Sequence, residues 1–186
     1  ARYVNLRRFY LKYRDWCRLT HQGTWLEEFT EGRLHLTGKD NGFIWLNGKA
    51  ADMRWAVEFL WGEMQVHRNR ILAHSEGAHV YAAVWGLAEF YNLIMTAGKY
   101  LSPEQAQMAD TSVKTSLLNY NALSILHPAS CYWVPKPKDH QVVHLVEGPC
   151  LKFRINPRDF WEYKQEDMIG VCKRMSNRLH RLTVPD

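Results

Sequence analysis

The chain has 186 residues, with 24 Lys and Arg against 19 Asp and Glu, which gives a net charge of +5. This length suits one domain. Eight Trp, nine Tyr and seven Phe can form a core large enough to be stable without disulfide bonds. The four cysteines lie far apart with no CxxC pair, which argues against a disulfide framework and favours an intracellular reducing compartment, with an organelle as the alternative.

The first third of the chain is predicted to contain two amphipathic helices. Apolar residues recur at helical spacing over residues 3–19 and again over residues 49–67. The intervening residues 21–48 carry five glycines and only short apolar runs. This composition predicts an irregular segment with a small hairpin around Asp40-Asn41-Gly42.

Residues 78–98 form the longest apolar stretch, and the rest of the chain is predicted to pack around it. Nearly every face is apolar, so a helix here must be covered by protein or by lipid. Glu89 and Asn92 would lie near the centre of a bilayer, where polar groups are costly, so no transmembrane span is predicted. We expect Gly77 to break the chain before this helix and Gly98 to take a left-handed conformation after it.

Ser102 followed by Pro103 predicts the start of another helix, which runs to about residue 126. A short helix over residues 139–146 is expected to end at Gly148-Pro149, and Asn156-Pro157 to cap a further turn.

A last helix is predicted over residues 164–182, with acids in its first turn and bases in its last, as the helix dipole favours. The predicted fold class is mainly α. We expect a single-domain helical bundle of residues 1–186 around the buried central helix.

Basic residues are concentrated at the two ends of the chain. Residues 2–18 contain six Lys and Arg against one acid, and residues 152–181 contain eight against four acids. Such ends permit contact with nucleic acid, an acidic lipid surface or an acidic partner, although ordinary solvated helix faces have the same composition. The candidate nucleic-acid-binding residues are Arg7, Arg8, Lys12, Lys173, Arg174 and Arg178.

A candidate catalytic motif lies just before the central helix, where Arg68, Asn69 and His74 follow one another within seven residues. This spacing resembles the motif of HEPN-type helical ribonucleases, which implies metal-independent attack of a ribose 2′-hydroxyl on the adjacent phosphate. An imidazole can move a proton near neutral pH, and a guanidinium can hold the phosphate. The alternative is a basic helix end with no catalytic role.

Two sets of residues are candidate metal ligands. His140 and His144 lie four residues apart on a predicted helix and can share a zinc ion, with Cys131 or Cys150 as a further ligand, although such histidines can also simply bond to backbone. Glu166 and Asp167 can hold Mg²⁺ together with distant acids, although carboxylates at a helix start also suit the dipole. If neither set binds metal, no cofactor is expected.

Several short motifs resemble transposable-element-derived open reading frames of protist genomes. They are Pro137-Lys138-Asp139-His140, His144, Asn156-Pro157-Arg158, Glu166-Asp167 and Gly170, with GKAADMR at residues 48–54 and LSPEQ at residues 101–105. Through the link of such frames to RNase H-like transposases, the resemblance implies Glu166 or Asp167 as a last metal-binding acid. It equally implies a domain recruited for binding.

The chain contains no P-loop, dinucleotide fingerprint, nucleophile elbow or kinase signature. It therefore predicts a non-catalytic helical interaction or structural domain, a subunit that has other protein subunits as partners and contacts RNA or DNA through its basic ends. The alternatives are a HEPN-like ribonuclease and the remnant of a metal-dependent transposase or nuclease. Because the chain begins at Ala1, we expect a processed product or a piece of a longer protein.

Overall fold

The structure, a computed structural model, describes residues 2–20, 22, 26, 28–30, 32, 50–128, 133–135 and 137–159. These residues form six α-helices: α1 (Arg2–Leu19), α2 (Ala50–Val66), α3 (Arg68–Leu72), α4 (Gly77–Thr96), α5 (Pro103–Leu126) and α6 (Pro137–Leu145). The prediction of a mainly α bundle is confirmed. The hairpin expected around residues 40–42 and the helix expected over residues 164–182 lie outside the described residues.

Helices α4 and α5 form the most extensive helix pair, and they approach each other through small residues. Gly86 lies in the middle of α4, where a Cβ atom would fall 2.4 Å from the carbonyl oxygen of Ser112 on α5. The Ser116 hydroxyl donates a 2.8 Å hydrogen bond to the carbonyl of Ala83. Glycine is unfavourable inside a helix, so its presence here is explained by the close approach of the two backbones.

A second glycine permits the sharp turn between α3 and α4. Gly77 is buried at the first position of α4, and a Cβ atom there would lie 1.8 Å from the carbonyl oxygen of Ile71 on α3. The predicted break at this glycine is therefore a tight helix–helix junction, which places α3 directly against the start of α4.

The end of α4 differs from the prediction. Gly98 does not take a left-handed conformation, and Ala97 is extended, with φ −70° and ψ 154°. The side chain of the buried Asn156 takes the place of a glycine cap, because its Nδ2 donates to the carbonyls of Ile94, Ala97 and Gly98 at 2.9, 3.3 and 3.0 Å. Carbonyls at a helix end have no intrahelical donor and need such a partner.

The whole Asn156-Pro157-Arg158 motif acts as a clamp on this helix end. Asn156 Oδ1 accepts a 3.0 Å hydrogen bond from the Arg158 amide, which confirms the predicted cap of a short turn, Pro157–Asp159. Pro157 is buried, and Arg158 Nη1 donates to the carbonyl of Met95 at 3.0 Å. The motif thus has a structural role in joining the distant chain segment to α4.

Helix α5 begins as predicted. Ser102 is the N-cap, its hydroxyl accepts from the Gln105 amide at 3.1 Å, and Gln105 Oε1 accepts from the Ser102 amide at 2.9 Å. With Pro103 at the first helical position, this is a complete capping box.

The α-helical part of this segment, α6, ends at Leu145, one residue before the predicted end at 146, but Gly148-Pro149 does not end the helical structure. Helix α6 continues into a π-helical turn, Val146–Lys152, which contains Pro149. Pro149 has no amide hydrogen to donate, but the turn is closed after it, because the Phe153 amide donates to the carbonyl of Gly148 at 3.2 Å.

Helices α1 and α2 pack through aromatic rings. The ring centroid of Tyr13 lies 5.7 Å from that of Phe29 and 5.4 Å from that of Phe59, and Phe9 lies 5.1 Å from Phe59. This aromatic cluster is distinct from the core formed by α4, α5 and the π-helical turn.

None of the helices in the described part of the chain has the length and apolar character needed to cross a membrane, in agreement with the prediction. Cys17 and Cys150 are buried with free thiols, whereas Cys131 and Cys172 lie outside the described residues.

Candidate nucleic-acid interface

A groove of about 690 Å³ lies between α1, α2 and the short α3. Helix α2 ends at Val66, and the non-helical His67 then redirects the chain so that α3 flanks the groove. The lining residues are Asn5, Arg8, Phe9, Lys12, Leu60, Glu63, Met64, His67, Arg70, Ile71 and His74. The groove therefore combines residues from the basic N-terminal helix with residues from the Arg68–His74 motif.

The polar side chains of the groove are mainly basic. Arg8, Lys12 and Arg70 contribute three positive charges, and Glu63 is the one acidic side chain among the described lining residues. Glu63 is paired with Lys12 at 2.7 Å, so the excess positive charge of the groove lies with Arg8 and Arg70. Guanidinium groups are well suited to phosphate oxygens because they present several donors in one plane.

Apolar side chains complete the lining between these charges. They are Phe9 from α1, Leu60 and Met64 from α2, and Ile71 from α3. A surface that offers both cationic groups and apolar area can hold a phosphate backbone and also contact bases or sugars.

The three candidate catalytic residues do not line this groove together. His74 belongs to the groove, whereas Arg68 and Asn69 line a separate shallow depression that also contains Gln65 and Val66. The Arg68 guanidinium lies over the ring of Tyr81, 5.9 Å from its centroid. His67 and Arg70 line both the groove and this depression, so side chains of the Arg68–His74 motif and its neighbour His67 point to two sides of α3.

The candidate nucleic-acid-binding residues are also divided. Arg8 and Lys12 line the groove, and Arg7 forms an ion pair with Glu28 at 3.5 Å. The candidates Lys173, Arg174 and Arg178 lie outside the described residues.

Arg70 and His67 are the basic or titratable nitrogen-bearing side chains of the groove that were not among the candidates predicted from the sequence. Both lie within or beside the Arg68–His74 motif, so the basic character of this segment can be read from the sequence. Their orientation toward α1 depends on the break between α2 and α3 at His67, which has no proline or glycine to mark it.

The candidate zinc ligands are separated by the fold. His140 and His144 are exposed on α6, with 2.9 Å between their Nε2 atoms. Cys150 is fully buried, and burial together with the nearby Asp110 carboxylate raises the pKa of its thiol to about 12. Within the described residues no three His, Cys, Asp or Glu side chains are grouped to hold a metal, and Glu166 and Asp167 lie beyond them.

A third depression lies between α2 and α4, and the acidic residue of the central helix lines it. Glu89 lines it together with Arg54 and Glu58. The Arg54 guanidinium stacks 4.0 Å from the ring centroid of Trp55, and partial burial raises the pKa of Glu58 against the opposing effect of Arg54. The carboxylate of Glu89 is thus accommodated at the surface of the bundle.

No family model matches this chain, and neither the curated proteins nor the solved structures compared with it give a match. Its function is therefore inferred from the chemistry of its own residues.

Proposed function

We propose that the protein is a non-catalytic helical interaction domain that holds the phosphate backbone of RNA or DNA in the groove between α1, α2 and α3. The supporting observation is that Arg8 and Arg70 line one groove together with apolar side chains, and that its described lining contains a single carboxylate, which is already paired. Two elements distant in sequence contribute the two guanidinium groups, as a composite binding surface requires.

The division of the HEPN-like motif favours binding over catalysis. A ribonuclease of that type needs its histidine and arginine around one phosphate, and Arg68 lines a different depression from His74. In the proposed role, His74 and Arg70 contact the nucleic acid without cleaving it. Metal-free incubation with labelled RNA should therefore leave the RNA intact.

Fluorescence anisotropy with a labelled single-stranded RNA, at a series of KCl concentrations, tests the proposal. Each phosphate contact contributes about 0.7 to the slope of log affinity against log salt. Arg8→Ala and Arg70→Ala should each weaken binding at low salt and reduce this slope by about 0.7. Single-stranded DNA of the same sequence provides the comparison between the two nucleic acids.

Arg18→Ala is the matched control. Arg18 lies on the same helix as Arg8, outside the groove lining, and faces Asp15 at 3.7 Å. Its replacement removes the same overall charge but should leave the salt slope unchanged. Absence of binding at low salt, or equal losses in Arg8→Ala and Arg18→Ala, would contradict the proposal.

We further propose that the chain is a subunit of a larger assembly, which the exposed apolar side chains on α5 support. Leu118 and Ile125 are 69% and 71% exposed, and their spacing of two helical turns places them on one face. In an extract of the native source, the wild-type chain should migrate in a complex, and a Leu118→Ser/Ile125→Ser variant should migrate as the single chain. Migration of the wild type alone would contradict it.

A further inference from the structure

Two histidines on α6, which lie outside the groove lining, are close enough to bind one ion together. His140 and His144 lie one helical turn apart on the outer side of α6, with their Nε2 atoms 2.9 Å apart and ring planes at 77°. Both side chains are exposed, so an ion can reach them from solvent. We propose that His140 and His144 form a two-imidazole site for a divalent transition metal with square-planar or octahedral geometry, Cu²⁺ or Ni²⁺.

The separation of the two nitrogens supports this choice of geometry. Two imidazole nitrogens that each lie 2.0–2.1 Å from one ion and subtend 90° are roughly 2.8–3.0 Å apart, whereas a tetrahedral angle requires roughly 3.3–3.4 Å. The observed 2.9 Å matches the right-angle arrangement. Right-angle nitrogen coordination is typical of Cu²⁺ and Ni²⁺, and Zn²⁺ prefers the tetrahedron.

Without metal, the two imidazoles form one hydrogen bond with each other. One Nε2 carries the proton and donates, and the other accepts. When the metal binds, the donor ring moves its proton to Nδ1, and both Nε2 lone pairs face the ion. No backbone movement is needed, because the helix already fixes the two rings at binding distance.

The side chains near the two histidines determine which further ligands the metal ion can have. Glu147, the next acidic residue along the chain, contacts Lys114 at 3.6 Å, and Lys114 also pairs with Asp110 at 2.8 Å. Cys150 is buried with a protonated thiol. The described residues supply no third ligand, and both imidazoles are exposed, so solvent can complete the coordination on this side of α6.

Titration of the intact chain with CuSO₄, followed by calorimetry and electron paramagnetic resonance, tests the proposal. We expect one Cu²⁺ per chain, with two equatorial nitrogens in the spectrum, and Ni²⁺ as the next strongest ion. His140→Ala and His144→Ala should each weaken Cu²⁺ binding by about tenfold or more, because each removes one of two metal–nitrogen bonds. Acidification should also weaken it, since protons compete for the same nitrogens.

His127→Gln is the control, because His127 pairs with Glu76 at 2.8 Å and not with another histidine. It should leave Cu²⁺ affinity unchanged. Far-UV circular dichroism verifies that the variants keep their helices. Wild-type affinity in both alanine variants, a spectrum with one nitrogen, or tighter binding of Zn²⁺ than of Cu²⁺ would overturn the proposal.

Discussion

The two halves of the helical bundle are held together by different physical means. Between α1 and α2, large rings of Phe9, Tyr13 and Phe59 fill the interface, and their edges and faces meet at varied angles. In the other half, Gly86 brings the backbones of α4 and α5 together, and Asn156 closes the end of α4 by hydrogen bonds. The stability of the first half depends on buried apolar area, to which many side chains contribute. That of the second half depends on the exact fit of a few atoms.

This difference predicts an unequal response to substitution. In the half that contains the aromatic cluster, loss of a hydroxyl group, or addition of a methyl group at an exposed position of α2, should change stability little. In the half built around α4, loss of the hydrogen bonds at the helix end or addition of one methyl group against α5 should change stability strongly. Four sets of substitutions test this difference between the two halves. They are given in order of decreasing expected change in the free energy of unfolding.

Asn156→Ala should have the largest effect. It removes the donor for three carbonyls at the end of α4 and the acceptor for the Arg158 amide, all in a site where Asn156 is 2% exposed. Unsatisfied buried groups cost about 1–3 kcal/mol each, so we expect a loss of about 2–4 kcal/mol in the free energy of unfolding, measured with urea. A loss below about 0.5 kcal/mol would show that water replaces the side chain.

Gly86→Ala and Gly62→Ala form a matched pair of mid-helix substitutions. The new methyl group at residue 86 meets backbone of α5 at 2.4 Å, and the one at residue 62 meets nothing within 4 Å. We expect a loss of about 1–3 kcal/mol for the first and a gain of about 0.5–1 kcal/mol for the second. Thermal unfolding followed by circular dichroism measures both. Equal shifts would contradict the close approach of α4 and α5 at Gly86.

Tyr10→Phe should have a smaller effect. The Tyr10 hydroxyl donates a long, 3.4 Å hydrogen bond to the Leu26 carbonyl, while its ring packs edge-on against Phe29. Removal of the hydroxyl keeps the ring contact, so we expect a loss of about 0.5–1 kcal/mol in urea unfolding. A loss as large as that of Asn156→Ala would mean that the aromatic cluster also depends on single polar atoms.

The smallest effects concern pH. Partial burial raises the pKa of Glu58 from 4.5, so the native state holds this proton more tightly than the unfolded chain does. Its contribution to stability is therefore present at low pH and is lost as the pH rises through the raised pKa. Glu58→Gln should reduce the gain in stability on acidification from pH 7, measured by urea unfolding at several pH values.

Glu104 provides a comparison of opposite sign. The Ser102 hydroxyl, which donates to its carboxylate at 2.7 Å, lowers the pKa of Glu104. Its contribution is present above the unfolded pKa and is lost on acidification, so Glu104→Gln should weaken the acid-induced loss. Changes of the same sign in the two variants would contradict the opposite pKa shifts.

Local signals in the sequence predicted the helices well. Ser102, Pro103 and Gln105 specify the start of α5 through residues that are adjacent in the chain, and the helical spacing of apolar residues placed α1, α2 and α4 within one or two residues. The cap of α4 was not predictable in the same way. Gly98 follows the helix, but Asn156 reaches its end through the tertiary fold.

The candidate interface shows the same limit. The basic character of α1 and of the Arg68–His74 motif was visible in the sequence, and both contribute to one groove. That Arg70 joins Arg8 while Arg68 faces Tyr81 depends on where α2 stops and how Gly77 turns the chain. Charge can be read from residue types, whereas its grouping on a surface follows from packing.

The most direct test of the account measures binding and stability in one variant, Arg8→Ala/Arg70→Ala. The groove is proposed to bind nucleic acid while the α4–α5 contact maintains the fold. The salt slope for single-stranded RNA should therefore fall by about 1.4, with the free energy of unfolding unchanged within about 0.5 kcal/mol. An unchanged slope, in a variant that remains folded, would contradict the assignment of binding to the groove.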